Sequence, residues 1–212
     1  MLKKITIIDY GAGNILSVRR AFEYCSANVE ITSSANKIKN SSYLVLPGDG
    51  SFKFASIKLR ENGIFDAIKE HCLKEKPLLG ICLGMQILMT QSEEFGKNKG
   101  LNLIKGDVLK IKKQIKKFLK TPVIGQQDIY INQTKHNINL IKKYKLTKKN
   151  YYFIHSYQVV PKNKNEIIAY YKYGNQKITA IIAKQNIIGT QFHPEKSGKD
   201  GINLIKTFLK TN

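Results

Sequence analysis

The chain has 212 residues, 42% of them hydrophobic, which excludes wholesale disorder and is enough for one large core. Its net charge of +21 is almost entirely lysine, because Arg19, Arg20 and Arg60 are the only arginines. Lysines spread along the chain, without arginine forks or an RNA-binding, helix-turn-helix or zinc-finger signature, read as solvated surface rather than a nucleic-acid interface. An anionic partner or a phosphorylated substrate nearby is the alternative use of that charge.

The first apolar run is too short for a signal peptide core, and no apolar stretch approaches the roughly 20 residues of a membrane span. A soluble cytoplasmic protein with no membrane partner is therefore expected. Three cysteines, Cys25, Cys72 and Cys82, contain no Cys-x-x-Cys pair. That odd, sparse set argues against a disulfide framework and against a zinc site. No metal or cofactor is expected.

Ile5 to Ile8 reads as a short buried strand, and Asp9-Tyr10-Gly11-Ala12-Gly13 as a tight turn. Ile15, Val18, Phe22 and Cys25 then share one helical face, so Cys25 is assigned to the core. Val29 to Ile31 and Tyr43 to Leu46 predict two more strands, the latter stopped by Pro47-Gly48. Ile64, Ile68 and Cys72 line one side of a helix, which places Cys72 in the core too. Leu78 to Ile81 is a fourth strand, entered through Pro77, and a helix runs from Gly84 to Thr90. This alternation predicts a parallel sheet covered on both faces.

From about Gly100 the texture changes. Val108 to Ile111, Tyr151 to Ile154, Ile167 to Tyr171, Ile178 to Ala183 and Ile187 to Thr190 look like antiparallel strands, with Gly174-Asn175 as a turn. Residues 201–209 form a helix with Ile202, Ile205 and Leu209 on one face. The whole is expected to be α/β: a single three-layer domain over residues 1–212, with a mostly parallel central sheet, helices on both faces and an antiparallel extension in its second half.

Chemistry concentrates at Gly80-Ile81-Cys82-Leu83-Gly84, between a strand and a helix. This is the setting of a nucleophile elbow with Cys in place of Ser, and the following helix points its N-terminus at the sulfur. Such a cysteine needs a base, and the base needs an orienting acceptor. His193 and Glu195 supply both, two residues apart on an extended segment stiffened by Pro194. His71 and His136 have no motif around them and are read as surface or structural.

Gly80-Ile81-Cys82-Leu83-Gly84-Met85-Gln86, with His193-Pro194-Glu195, resembles the class I (triad) glutamine amidotransferases. Further segments resemble the glutaminase subunit of imidazole glycerol phosphate synthase: Ile8 to Asn14 followed by Ser17-Val18, Leu46 to Phe52, Ser92-Glu93-Glu94 and Phe153 to Tyr157. They span nearly the whole chain in the family's order.

The resemblance implies that Cys82 attacks the glutamine amide to form a thioester. His193 protonates the leaving ammonia and then activates water, and Glu195 holds the His193 tautomer. It implies an oxyanion hole from the backbone of Leu83 and of Gly48, Asp49 and Gly50, the latter after a peptide flip. It also implies a glutamine site at Gly48, Gln86, Glu94, His155, Ser156 and Tyr157, where Glu94 suits the substrate ammonium and residues 155–157 contribute backbone. The partner implied is a (β/α)₈-barrel cyclase subunit of histidine biosynthesis. It would meet this chain near Asn14, Gln126 and Gln127 and use the ammonia to make imidazole glycerol phosphate.

Two departures bear on the acceptor. Where the family shows Pro-His-Met-Gly-Trp-Asn, this chain has Pro122-Val123-Ile124-Gly125-Gln126-Gln127. Where it usually has a small apolar residue after Pro-Gly, this chain has Asp49. A diverged copy feeding ammonia to another synthase, such as one that aminates a surface sugar, is the alternative.

Overall fold

The computed structural model describes residues 2–112, 120–134, 138–144, 146 and 148–210. The elements run β1 (Lys3–Ile8), α1 (Ile15–Tyr24), β2 (Ala27–Thr32), α2 (Ala35–Asn40), β3 (Tyr43–Leu46), α3 (Phe52–Glu61), α4 (Ile64–Leu73), β4 (Leu78–Ile81) and α5 (Leu83–Ile87). Then follow β5 (Gln91–Ser92), β6 (Asn98–Lys99), β7 (Gly106–Lys110), β8 (Val123–Ile131), α6 (Ile138–Lys143), β9 (Asn150–His155), β10 (Tyr157–Pro161), β11 (Ile167–Tyr173), β12 (Gln176–Lys184), β13 (Ile187–Thr190) and α7 (Gly198–Phe208).

Among the described residues, nine strands form one sheet in the order β2-β1-β3-β4-β13-β12-β11-β8-β9. The pairs from β2 across to β13 are parallel, and those from β13 to β9 antiparallel. A second sheet of four strands has the order β10-β7-β5-β6.

Side chains alternate across the large sheet as the strand period requires. On β3, Tyr43 and Val45 enter one core with Phe22 of α1 and Ile205 and Phe208 of α7. Leu44 and Leu46 enter the other with Ile38 of α2, Phe52 of α3, Ile64 of α4 and Met85 of α5. Two apolar layers therefore clamp one sheet, as the continuous apolar runs of β3 and β4 require.

The expected α/β class, the parallel first half, the antiparallel second half and the Gly174-Asn175 turn all appear, the turn joining Tyr173 to its partner Gln176. Two expectations are corrected. β13, expected among antiparallel hairpins, pairs antiparallel with β12 but parallel with β4, matching Ile81 to Thr190. Its buried apolar run is that of a central strand, and this pairing joins the two halves of the sheet. The helix expected from Gly84 to Thr90 ends at Ile87. The backbone carbonyls of Ile87 and Met89 accept instead from the N–H groups of Leu101 and Asn102, so tertiary bonds replace the next helical turn.

His71 is wholly buried and structural, its Nε2–H donating to the Pro77 carbonyl at 3.1 Å while Nδ1 faces Ser41 Oγ at 3.2 Å. Cys25 and Cys72 are part-buried against the cores as expected. His136, like residues 113–119, lies outside the described residues.

Candidate active site

Cys82 leaves β4 with φ +53°, a left-handed backbone that strains any residue with a Cβ. The strain is held from both sides. The Cys82 N–H donates to the Thr190 carbonyl of β13 at 2.7 Å, and the Cys82 carbonyl accepts from Gln86 N–H in α5 at 3.2 Å. Gly84 lets α5 approach the sheet, because a Cβ there would sit 1.9 Å from the Leu46 carbonyl oxygen. The result is a sharp elbow that carries the sulfur to the carboxyl ends of the parallel strands, where sites of open α/β sheets form.

The adjacent strand delivers the base. β13 runs parallel to β4, so the segment after Thr190 emerges beside the elbow. His193 N–H is anchored on the Tyr152 carbonyl at 3.0 Å, and Ser197 Oγ–H donates back to the His193 carbonyl at 2.6 Å. His193 Nδ1 lies 2.7 Å from Glu195 Oε1, and the two side chains are only 3% and 1% exposed. An Nδ1–H donated to that carboxylate turns Nε2 toward the sulfur. Nε2 is buried with no hydrogen-bond partner among the described residues, and Asp49 Oδ1 lies 3.6 Å from it. Burial opposes a charge on His193, but its interactions with Cys82 and Glu195 outweigh that and hold the imidazole up near 10.

Beside the sulfur opens a cavity of about 450 Å³ lined by residues that include Asp49, Gly50, Leu83, Gln86, Glu94, His155, Ser156 and Tyr157. The sequence-derived glutamine contacts therefore meet at one wall, and Gly48 packs just behind, where a Cβ would strike Tyr10 and Leu83. Two of them are already partly engaged. Gln86 Nε2 donates to the Tyr157 carbonyl at 3.3 Å and to Gln191 Oε1 at 3.1 Å. Glu94 Oε2 accepts from Phe52 N–H at the first turn of α3, at 2.6 Å. The His155 imidazole is turned inward: its Nδ1–H donates to the Tyr157 carbonyl at 2.7 Å and Nε2 accepts from Tyr171 O–H at 2.9 Å. Desolvation holds it down at about 4, so it is a neutral strut that positions the Ser156-Tyr157 backbone.

The expected partner-contact residues divide. Asn14 caps α1, and its backbone N–H donates to Asp49 Oδ2 at 3.0 Å, which places it beside the site. Gln126 and Gln127 sit on β8 opposite Tyr152 and Tyr151 of β9, outside the cavity wall, with Gln126 exposed.

Three contributors were not assigned from sequence. Gln191 Nε2 lies 3.6 Å from Cys82 Sγ, linking the nucleophile through Gln86 to the cavity wall. Its place two residues before the base was the available signal. Tyr10 O–H donates to the Pro47 carbonyl at 3.0 Å and supports the Gly48-Asp49 turn from below. Lys196 reaches the cavity from just beyond the His–Glu pair.

A strained cysteine at a strand–helix elbow, an imidazole oriented by a carboxylate and an amino-acid-sized cavity define a cysteine enzyme of the amide-cleaving, triad class. The family model for glutamine amidotransferase class-I matches residues 6–211. The imidazole glycerol phosphate synthase subunit HisH of Caldanaerobacter subterraneus is 42% identical, with 96% of each chain covered. HisH of Pelagibacter ubique is 42% identical over 97% of this chain and 98% of its own. HisH 1 of Legionella pneumophila is 37% identical over 99% of this chain and all of its own. Among solved structures, PurLQS from Thermotoga maritima superposes with a TM-score of 0.74 at 18% identity, covering 99% of this chain and 98% of that one, a likeness of fold. The chain belongs to the class-I glutamine amidotransferases and, within them, to the HisH subunits of imidazole glycerol phosphate synthase.

Proposed function

We propose that this chain hydrolyses glutamine to glutamate and ammonia through Cys82 and hands the ammonia to a cyclase subunit that builds imidazole glycerol phosphate. The observation that carries the reading is the Cys82 elbow beside a buried His193–Glu195 pair. The Cys82 thiolate attacks the carboxamide carbon, and the oxyanion forms against the Leu83 N–H, one of the acceptor-free donors in the first turn of α5. A second backbone N–H comes from the Gly48-Asp49-Gly50 turn. His193 gives its proton to the leaving nitrogen, the C–N bond breaks and a thioester remains. His193 then takes a proton from water as it attacks the thioester, and glutamate leaves.

Glutamine enters the cavity with its ammonium toward Glu94 and its carboxylate against the backbone at Ser156 and Tyr157. Ammonia protonated at neutral pH is no longer nucleophilic, so transfer through an enclosed path to a docked partner in a heterodimer is the chemistry that fits. The docking face proposed is that of Asn14, Gln126 and Gln127. A soluble, cytoplasmic setting fits a biosynthetic enzyme of which no described helix is long and apolar enough to cross a membrane.

A second reading rests on Asp49 and on the Gln126-Gln127 stretch. In it the same glutaminase serves another synthase, such as one aminating a surface sugar. Glutamate release by the purified chain with its copurifying synthase, with and without the cyclase's ribonucleotide substrate, separates the two. Strong stimulation by the ribonucleotide supports the histidine-pathway acceptor. Glutamate release indifferent to it sinks that acceptor and leaves the glutaminase standing.

A further inference from the structure

The triad holds a feature that amide hydrolysis does not use. Asp49, Cys82 and His193 each present one donor atom, and all three atoms lie within 4.8 Å of one another. The donors are a cysteine sulfur, an imidazole nitrogen and a carboxylate oxygen, each a ligand type of zinc, which in open sites takes three protein ligands and keeps a fourth position free. The His193 Nε2 to Asp49 Oδ1 separation is 3.6 Å. Bonds of roughly 2.0–2.2 Å in a tetrahedron place two such ligands about 3.4 Å apart, so this edge is nearly formed.

The imidazole is prepared for a metal in two further ways. Its Nδ1 faces Glu195 Oε1 at 2.7 Å, the carboxylate–histidine arrangement that, once a metal displaces the Nε2 proton, presents the Nε2 lone pair outward. Its Nε2 is buried and has no hydrogen-bond partner among the described residues. Asp49 is the adjustable ligand: its side chain is 41% exposed, it sits between Gly48 and Gly50, and its Oδ2 is steadied by the Asn14 N–H at 3.0 Å. The cavity supplies the entry path and room for a water on the fourth position.

We propose that a single Zn²⁺ binds across Asp49, Cys82 and His193 and switches the glutaminase off. The inference rests on the reading of Cys82 as nucleophile and His193 as base. Binding forms metal bonds to Sγ, Nε2 and an Asp49 oxygen and releases to solvent the proton that the Cys–His pair holds. It ties up the nucleophile and the base together, and it draws the Asp49 carboxylate inward toward them. Asp49 is what separates this site from an ordinary Cys–His pair, which offers two ligands.

The test uses chelator-washed protein titrated with zinc against a chromogenic chelator. Alkylation of Cys82 by iodoacetamide is followed in parallel, with the labelled peptide located by mass so that Cys25 and Cys72 are counted separately. One zinc per chain is expected, with protection of Cys82 from alkylation. Asp49→Ala should weaken both at least about tenfold, and Asp49→Glu should restore most of the loss. Cobalt in place of zinc should give a thiolate charge-transfer band that Cys82→Ser abolishes. Zinc that fails to protect Cys82, or that binds Asp49→Ala as tightly as the parent chain, overturns the proposal. Rapid alkylation of Cys82 in the metal-free protein reports the nucleophile by itself, so the zinc site and the glutaminase reading fail independently.

Discussion

Single atoms decide whether Cys82 can act. Its φ of +53° persists because Thr190, Gln86 and Gly84 surround it, and Gly84 tolerates no side chain against the Leu46 carbonyl. Gly84→Ala should therefore cost about 3 kcal/mol or more of stability, as overpacking a core does, along with the activity, read by urea unfolding and glutamate release. A variant as stable as the parent would show that α5 gives way easily. Gln191 donates to the sulfur from within hydrogen-bonding reach and is itself buried. Gln191→Leu should lower kcat about tenfold or more with little change in KM, since a bond to a charged group is worth roughly 1.5–3 kcal/mol. An unchanged kcat would make Gln191 a packing residue only. The meeting of Cys82, His193 and Glu195 was legible in the sequence because each lies in a short motif. Gln191, Tyr10 and the Asp49–His193 approach were not, because each depends on pairing between distant strands.

Elements set the pH range over which the fold survives. Two helix- and strand-borne imidazoles, His71 and His155, are buried and held neutral, both by desolvation down to about 4. An unfolded chain would protonate them near 6.5. Their contribution is full above about 6.5 and is lost as pH falls from there through about 4, at roughly 3 kcal/mol each as an upper bound. His193 has the opposite sign, since its folded value is raised to about 10: its contribution is complete below about 6.5 and is lost as pH rises through about 10. Urea melts should thus show a stability maximum near pH 6.5 with losses on both sides. His71→Gln should flatten the acid slope, and an unchanged slope would assign acid unfolding elsewhere. The strands β1 to β4 were legible from apolar runs bounded by turns. The parallel partner of β4 was not, because β13 is a four-residue apolar run, and nothing local in such a run reveals its neighbour's direction. Two helices did not declare themselves: α2 has only six residues, and the buried face of α3, Phe52, Ala55, Ser56 and Leu59, carries two small side chains that weaken its apolar stripe.

For the whole molecule, the proposed oxyanion turn meets the Asn14 part of the proposed docking face. Asn14 ties α1 to Asp49, so movement of α1 on docking of the proposed partner would reach the proposed oxyanion turn and His193 through two contacts. The chain alone should therefore turn over glutamine slowly, with a large rise in kcat on adding the synthase. Rapid turnover by the isolated chain would contradict this. The lysine-rich surface gave the sequence little to say about partners, and the exposed Gln126 lies on the same outer strand pair that carries the cavity's rim.

The most direct measurement of the central claim is labelling by a diazoketone analogue of glutamine, followed by intact and peptide mass analysis. A single adduct per chain on Cys82, prevented by glutamine and slowed strongly by His193→Ala, is the expected result. An adduct on another residue, or no adduct while glutamate is still released, would contradict the assignment of Cys82 as the nucleophile.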